Sequence, residues 1–88
     1  MNRSERISKV LLDTRLFVPG TIYDLDDIYD VVEKNAELYD EDYEMENSSN
    51  DSKWKHTVRR LLQEVDGKRI IGGTRIVTYH GNKRYSFS

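Results

Sequence analysis

Apolar positions recur most regularly between Lys53 and Val65, in the stretch KWKHTVRRLLQEV. Set out at about 100° per residue, Trp54, Val58, Leu61, Leu62 and Val65 fall in one stripe, while Ser52, His56, Arg59, Arg60 and Gln63 spread over the opposite side. The spacing predicts a helix with a core face and a basic, hydrogen-bonding outer face. Upstream, Ile7, Val10 and Leu11 at i, i+3 and i+4 predict a first helix over Ser4 to Leu12, with Ser4 as its N-cap. Pro19-Gly20 then breaks the chain, and Thr21-Ile22-Tyr23 is β-prone, an edge strand or an extended lead-in.

Asp24 is placed to cap a second helix, with Asp26 and Asp27 in the first turn where the helix dipole favours negative charge. Leu25, Ile28, Tyr29, Val32, Ala36 and Tyr39 supply its core face. Its other face, Asp26, Asp27, Asp30, Glu33, Lys34 and Glu37, is nearly all acidic and would be repelled by phosphate. Asp40 to Asp51 reads as an acidic surface loop, with Tyr43 and Met45 turned back toward the core and Asn50, Asp51 or Ser52 capping the next helix. Such a long connection between helices is usually functional or mobile.

Beyond Val65, Asp66-Gly67 reads as a helix stop, with Gly67 in the left-handed position. Lys68 to Ile71 and Thr74 to Tyr79 are strand candidates divided by Gly72-Gly73, and Gly81-Asn82 suits a two-residue type II′ hairpin turn. That turn sets Tyr79 opposite Arg84, Thr78 opposite Tyr85, Val77 opposite Ser86 and Ile76 opposite Phe87. Ile76, Thr78, Tyr85 and Phe87 then face the core, leaving His80, Lys83 and Arg84 exposed at the tip.

Composition narrows the class. Eighty-eight residues make one domain, and 36% hydrophobic against 34% charged residues imply a small core under much wet surface. Without cysteine there is neither a disulfide framework nor a thiolate zinc site, and the cytoplasm is the expected compartment. No apolar run reaches membrane-spanning length, and MNRSERISKV lacks the apolar core of a signal peptide, so no membrane partner is expected.

The formal net charge of -2 hides a segregation: residues 1–20 carry +2, residues 21–52 carry -11 with twelve acids against Lys34, and residues 53–88 carry +7. Local potential rather than net charge attracts a polyanion, so one surface can be strongly positive on an acidic chain. Acidic and basic stretches can equally pair with each other in the fold.

Catalysis finds little support. His56 and His80 are the only histidines and no H-x-x-x-H spacing ties them to carboxylates. Asp40 to Glu46 lacks the glycine and ligand alternation of an EF-hand, and Gly72-Gly73 has neither a lysine-serine sequel nor a following helix. Neither an enzyme activity nor a metal or other cofactor is expected.

The order helix, extended stretch, helix, basic helix, hairpin resembles the winged helix-turn-helix family of DNA-binding domains, most clearly in TVRRLLQEVDGKRI followed by TRIVTYHGNKRYSF. WKHTVRRLLQ is also similar to winged modules attached to restriction-type endonucleases. The resemblance spans nearly the whole chain and implies an α+β domain, three helices packed on a C-terminal β-hairpin wing. By that resemblance the third helix enters the major groove through Ser52, Lys53, Lys55, His56, Arg59, Arg60 and Gln63, and the wing contributes His80, Lys83 and Arg84. Arg59 and Gln63 suit guanine and adenine, and Lys53, Lys55, Lys83 and Arg84 suit phosphates.

The implied partner is duplex DNA, bound by a regulator or by the recognition module of a larger protein. Two departures from the family lie in the connection between the second and third helices, which is long and acidic; folded over the third helix, it would screen the basic face. The alternative readings are a protein-interaction module, or a phage-type inhibitor, using the acidic second helix and loop from Asp26 to Glu46. Ile7, Val10 and Leu11 either complete this core or pair with a second copy in a homodimer.

Overall fold

The computed structural model describes residues 1–46 and 51–88. Three α-helices, α1 (Arg3–Leu11), α2 (Leu25–Asn35) and α3 (Lys53–Leu62), cover one face of an antiparallel sheet made of β1 (Ile22–Asp24), β2 (Ile70–Ile71), β3 (Arg75–Tyr79) and β4 (Arg84–Phe87). The strand order is β1-β4-β3-β2, so the segment before α2 pairs with the last strand of the chain. The fold is a small α+β domain, and the hairpin is the centre of a four-stranded sheet rather than a separate appendage.

The predicted periodicities place the core. Ile7, Val10 and Leu11 of α1, Leu25, Ile28 and Val32 of α2, and Trp54, Val58 and Leu62 of α3 are buried against Ile71, Val77 and Phe87 of the sheet. Phe17, which belongs to no periodic run, fills the centre, with its ring 4.9 Å from Phe87 and 5.3 Å from Tyr23. Trp54 packs edge-on against Tyr29 at 5.7 Å and Tyr43 at 6.3 Å.

Several expectations are corrected. Asn2, not Ser4, caps α1: its Oδ1 accepts the Glu5 N–H at 2.8 Å. Ser52 is the N-cap of α3, Asp51 lies just before it, and Asn50 lies outside the described residues. α3 stops at Leu62, where the chain turns extended at the C-cap Gln63 (ψ 151°); beyond it Asp66 and Gly67, both at positive φ, close a tight turn between Val65 and Lys68, and Val65 is 67% exposed instead of in the apolar stripe. Thr57, a polar residue outside the expected stripe, is buried as well, its hydroxyl donating to the Lys53 carbonyl at 3.0 Å.

The acidic connection is not simply a loop. Asp40–Tyr43 forms a 3-10 helix whose Asp42 is fully buried; Tyr39 and Met45 are exposed, and Tyr43, also largely exposed, turns its ring edge-on to the buried Trp54.

The hairpin register differs by one residue from the expected one. Asn82 (φ 51°) and Lys83 (φ 61°) are the central turn residues, closed by the Arg84 N–H donating to the Gly81 carbonyl at 3.0 Å, which makes a type I′ turn one position downstream of the expected II′. The observed pairs are Val77 with Phe87, Thr78 with Ser86 and Tyr79 with Tyr85. A one-residue shift exchanges the faces of β3, so Val77 is 3% exposed, Ile76 is 53% exposed, and Thr78 also faces outward.

Between β2 and β3, Gly72 (φ 61°) and Gly73 (φ 72°) form a second turn. A Cβ on Gly72 would lie 2.8 Å from Leu12 Cδ1, whereas one on Gly73 would meet open space. Gly72→Ala and Gly73→Ala both carry a left-handed penalty of about 1–2 kcal/mol, and Gly72→Ala is expected to lose measurably more because Leu12 must shift. Urea denaturation of the two variants gives the comparison; equal midpoints would mean that Leu12 yields freely.

Candidate nucleic-acid interface

On α3, His56 and Gln63 lie opposite the buried Trp54, Thr57, Val58 and Leu62, with Arg59 and Arg60 flanking them at about 100° from one another. Arg60 and Gln63 are exposed, and His56 and Arg59 are half-buried. The two arginines therefore border one outer face but lean to different flanks. Arg60 Nη2 donates to Ser4 Oγ at 2.8 Å on the α1 side. Arg59 reaches back along the helix to Asp51, Nη2 to Oδ2 2.5 Å, as helical side chains directed toward the N-terminus do.

Beside Arg59 a cleft of about 620 Å³ opens between α3, the N-terminus of α2 and the β3–β4 turn. It brings together Lys55, Arg59 and Lys83, with Tyr29 and Tyr85 on its walls. The turn is tied down there: the Leu25 N–H, in the first turn of α2, donates to the Lys83 carbonyl at 2.8 Å. Lys55 holds its ammonium 5.2 Å from the Tyr29 ring centre and 5.7 Å from that of Trp54, a cation–π arrangement. Burial pushes the Tyr29 phenol up to about 12 and the Tyr85 phenol upward, so both are neutral hydroxyls at physiological pH.

The same cleft holds Asp24, Asp26, Asp27 and Asp51. The sequence marks Asp24, Asp26 and Asp27 as cap, dipole and acidic-face residues of the second helix; that they border the basic residues of α3 follows from the packing. They fill that role too: the Asp27 carboxylate accepts the Asp24 N–H at 3.4 Å. Carboxylates at this helix start oppose a phosphate there.

The remaining expected site residues lie apart. Ser52 bridges to Met45, and Lys53 pairs with Glu44 at 3.1 Å. Arg84 donates to Asp24 at 3.2 Å, and His80 Nε2 is 2.7 Å from Ser86 Oγ. By strand alternation His80 and Arg84 sit on the sheet face turned away from the helices. Lys83 is exposed at the turn. The ten residues thus divide into an α3 face with its cleft, an α1 flank and the back of the sheet. Much of the segregated charge pairs within the fold, since Glu44, Asp51, Asp24 and Asp42 each meet a cation.

Among the described residues no group of His, Cys, Asp and Glu side chains is arranged to hold a metal ion, and no helix is long and apolar enough to cross a membrane. A scan against protein-family models, a search of curated proteins and a search of solved structures each return no match.

Proposed function

We propose that this chain is a winged-helix domain without catalysis of its own that binds duplex DNA through the outer face of α3, as a regulator or as the recognition module of a larger protein. The observation that carries the reading is the outward presentation of His56, Arg59, Arg60 and Gln63 on one helix beside a turn bearing Lys83. The element order, with β1 before α2 and paired to β4, accords with it. Arg60, Lys55 and Lys83 suit phosphates, and Arg59 and Gln63 suit base edges. The carboxylates of the α2 N-terminus direct phosphates away from the cleft floor and toward its α3 rim.

Fluorescence anisotropy with duplex DNA at about 50 and 200 mM salt tests this. Neutralising about three phosphates predicts roughly a 40-fold loss of affinity over that range, and Arg59→Ala with Arg60→Ala is expected to weaken binding by about 10- to 100-fold. Binding unchanged in the double variant, or absent in the parent chain, would favour a second reading, a protein-interaction module or inhibitor using α2. That reading rests on the exposure of Asp26, Asp27, Asp30 and Glu33 on α2.

Lys83 offers a separation of stability from binding. A non-glycine residue at φ 61° costs about 1–2 kcal/mol, so Lys83→Gly is expected to raise the urea midpoint while weakening DNA binding across all sequences. A variant that gains stability and loses no affinity would remove Lys83 from the interface.

A further inference from the structure

Arg59 is seated rather than loose. Its Nε is buried with no hydrogen-bond partner among the described residues, its Nη2 meets Asp51 Oδ2 at 2.5 Å, and the cleft that holds it is walled by Tyr29 and Tyr85. Arg60, the next residue, is exposed and reaches the other way, to Ser4. A free arginine samples many rotamers, and fixing one costs side-chain entropy. Here that cost is met in the fold, before any partner arrives.

Of the five N–H donors of a guanidinium, the one on Nε is enclosed and one on Nη2 faces Asp51, which leaves three on the two terminal nitrogens. Two neighbouring donors are what guanine O6 and N7 require in a bidentate contact. A phosphate needs only charge, and for phosphates a carboxylate 2.5 Å away is a handicap.

Building on the DNA-binding reading, we infer that Asp51 is a positioning residue: it holds the Arg59 guanidinium end-on for a guanine and lowers the affinity of that arginine for the phosphate backbone. The pair acts as a specificity device, exchanging unspecific attraction for base discrimination. It spans from the residue before the N-cap to the second turn of α3, so through Asp51 the acidic connection contributes a defined carboxylate to the reader.

The test is selection of binding sequences from a random duplex library by the parent chain, Asp51→Asn, Asp51→Glu and Arg59→Ala, with total affinity for a fixed unselected duplex measured in parallel. Asp51→Asn is expected to bind the unselected duplex as well as or several-fold better than the parent. At one guanine of the selected motif it is expected to lose about 10-fold in discrimination, the same position that Arg59→Ala loses. Asp51→Glu keeps the carboxylate and is expected to restore much of that preference, which a merely structural role of Asp51 would not require.

If the parent selects a motif and Asp51→Asn selects it with unchanged discrimination, the inference is overturned and the DNA-binding reading stands. If the parent enriches no sequence and binds no duplex, both fall together. Thermal melting of each variant, followed by circular dichroism, identifies any that fails to fold; if Asp51→Asn does so, Asp51→Glu carries the decision, and loss of the motif in a folded Asp51→Glu with weaker total binding counts against positioning.

Discussion

Asp42→Ala is expected to destabilise the domain by about 3–5 kcal/mol, the cost of removing one partner from a buried ion pair and leaving the other charge uncompensated. Asp42 lies in the 3-10 helix with no side-chain exposure. It receives Arg3 Nε at 2.6 Å, Arg6 Nη1 at 2.8 Å and the Tyr39 N–H at 2.8 Å. Arg6 is itself only 7% exposed; it also donates to the Glu37 carbonyl and stacks 4.5 Å from the Tyr39 ring centre. Without the carboxylate the Arg6 guanidinium has no counter-ion in a dry site, and the connection between α2 and α3 loses its attachment to α1. Domains of this size have total stabilities of about 5–15 kcal/mol, so the loss is a large part of the whole. Trp54, the only tryptophan, is buried and reports unfolding by fluorescence in urea; a loss under about 1 kcal/mol would mean that the pair is hydrated in solution.

The same network sets an acid limit. Burial alone would push the Asp42 carboxyl up, but hydrogen bonds from Arg6, Tyr39 and Arg3 outweigh it and hold the group well below the usual carboxylate range. A depressed folded-state value means that the unfolded chain takes up the proton first. The stabilisation is therefore complete above the unfolded value near 4 and is lost progressively as pH falls below it. As pH falls below about 4, the parent and Asp42→Asn melting curves are expected to draw steadily closer, because progressive protonation removes from the parent what the substitution has already removed.

Helix existence was legible from residue spacing, and the buried members of α1, α2 and α3 follow it at Ile7, Val10, Leu11, Ile28, Val32, Trp54, Val58 and Leu62. What was not legible depends on partners distant in sequence. Asp42 stands among Asp40, Glu41 and Glu44, all chemically alike, and only the arrival of Arg3 and Arg6 from nearly forty residues away distinguishes it. The hairpin shift arose because His80-Gly81-Asn82-Lys83 permits two turns, and a lysine in the left-handed region is a poor guess until its carbonyl is seen receiving the Leu25 N–H. For the candidate site, the outward set on α3 follows from the helical period. The grouping of Lys55 and Arg59 with Lys83 followed only from the packing of the turn against α2, and the separation of His80 and Arg84 from them from the observed strand register.

Arg75→Met is the second large effect expected, about 2–5 kcal/mol, and it turns on the same register. The expected pairing put Ile76 inward; the observed one buries Arg75, 3% exposed, in the core layer of β3. Arg75 Nη1 donates to the carbonyl of Leu11, the last residue of α1, at 2.9 Å, and Nη2 donates to the carbonyl of Phe17. Terminal helix carbonyls have no partner within the helix and carry the negative end of its dipole, so a cation there both satisfies and neutralises them. The guanidinium lies 4.9 Å from the Phe87 ring centre. Burial lowers its pKa, yet an arginine remains charged at neutral pH.

Methionine keeps the length and relieves the desolvated charge, which offsets part of the loss. It cannot remove the two backbone carbonyls, each of which costs about 1–3 kcal/mol when buried without a donor. Arg75→Lys has a single donor group and no planar face, so an intermediate loss is expected. Urea denaturation of the three chains would show the order arginine, lysine, methionine, and hydrogen exchange would show faster opening at the end of α1. A methionine variant as stable as the parent would mean that these carbonyls find water, and that Arg75 is held by packing against Phe87 alone.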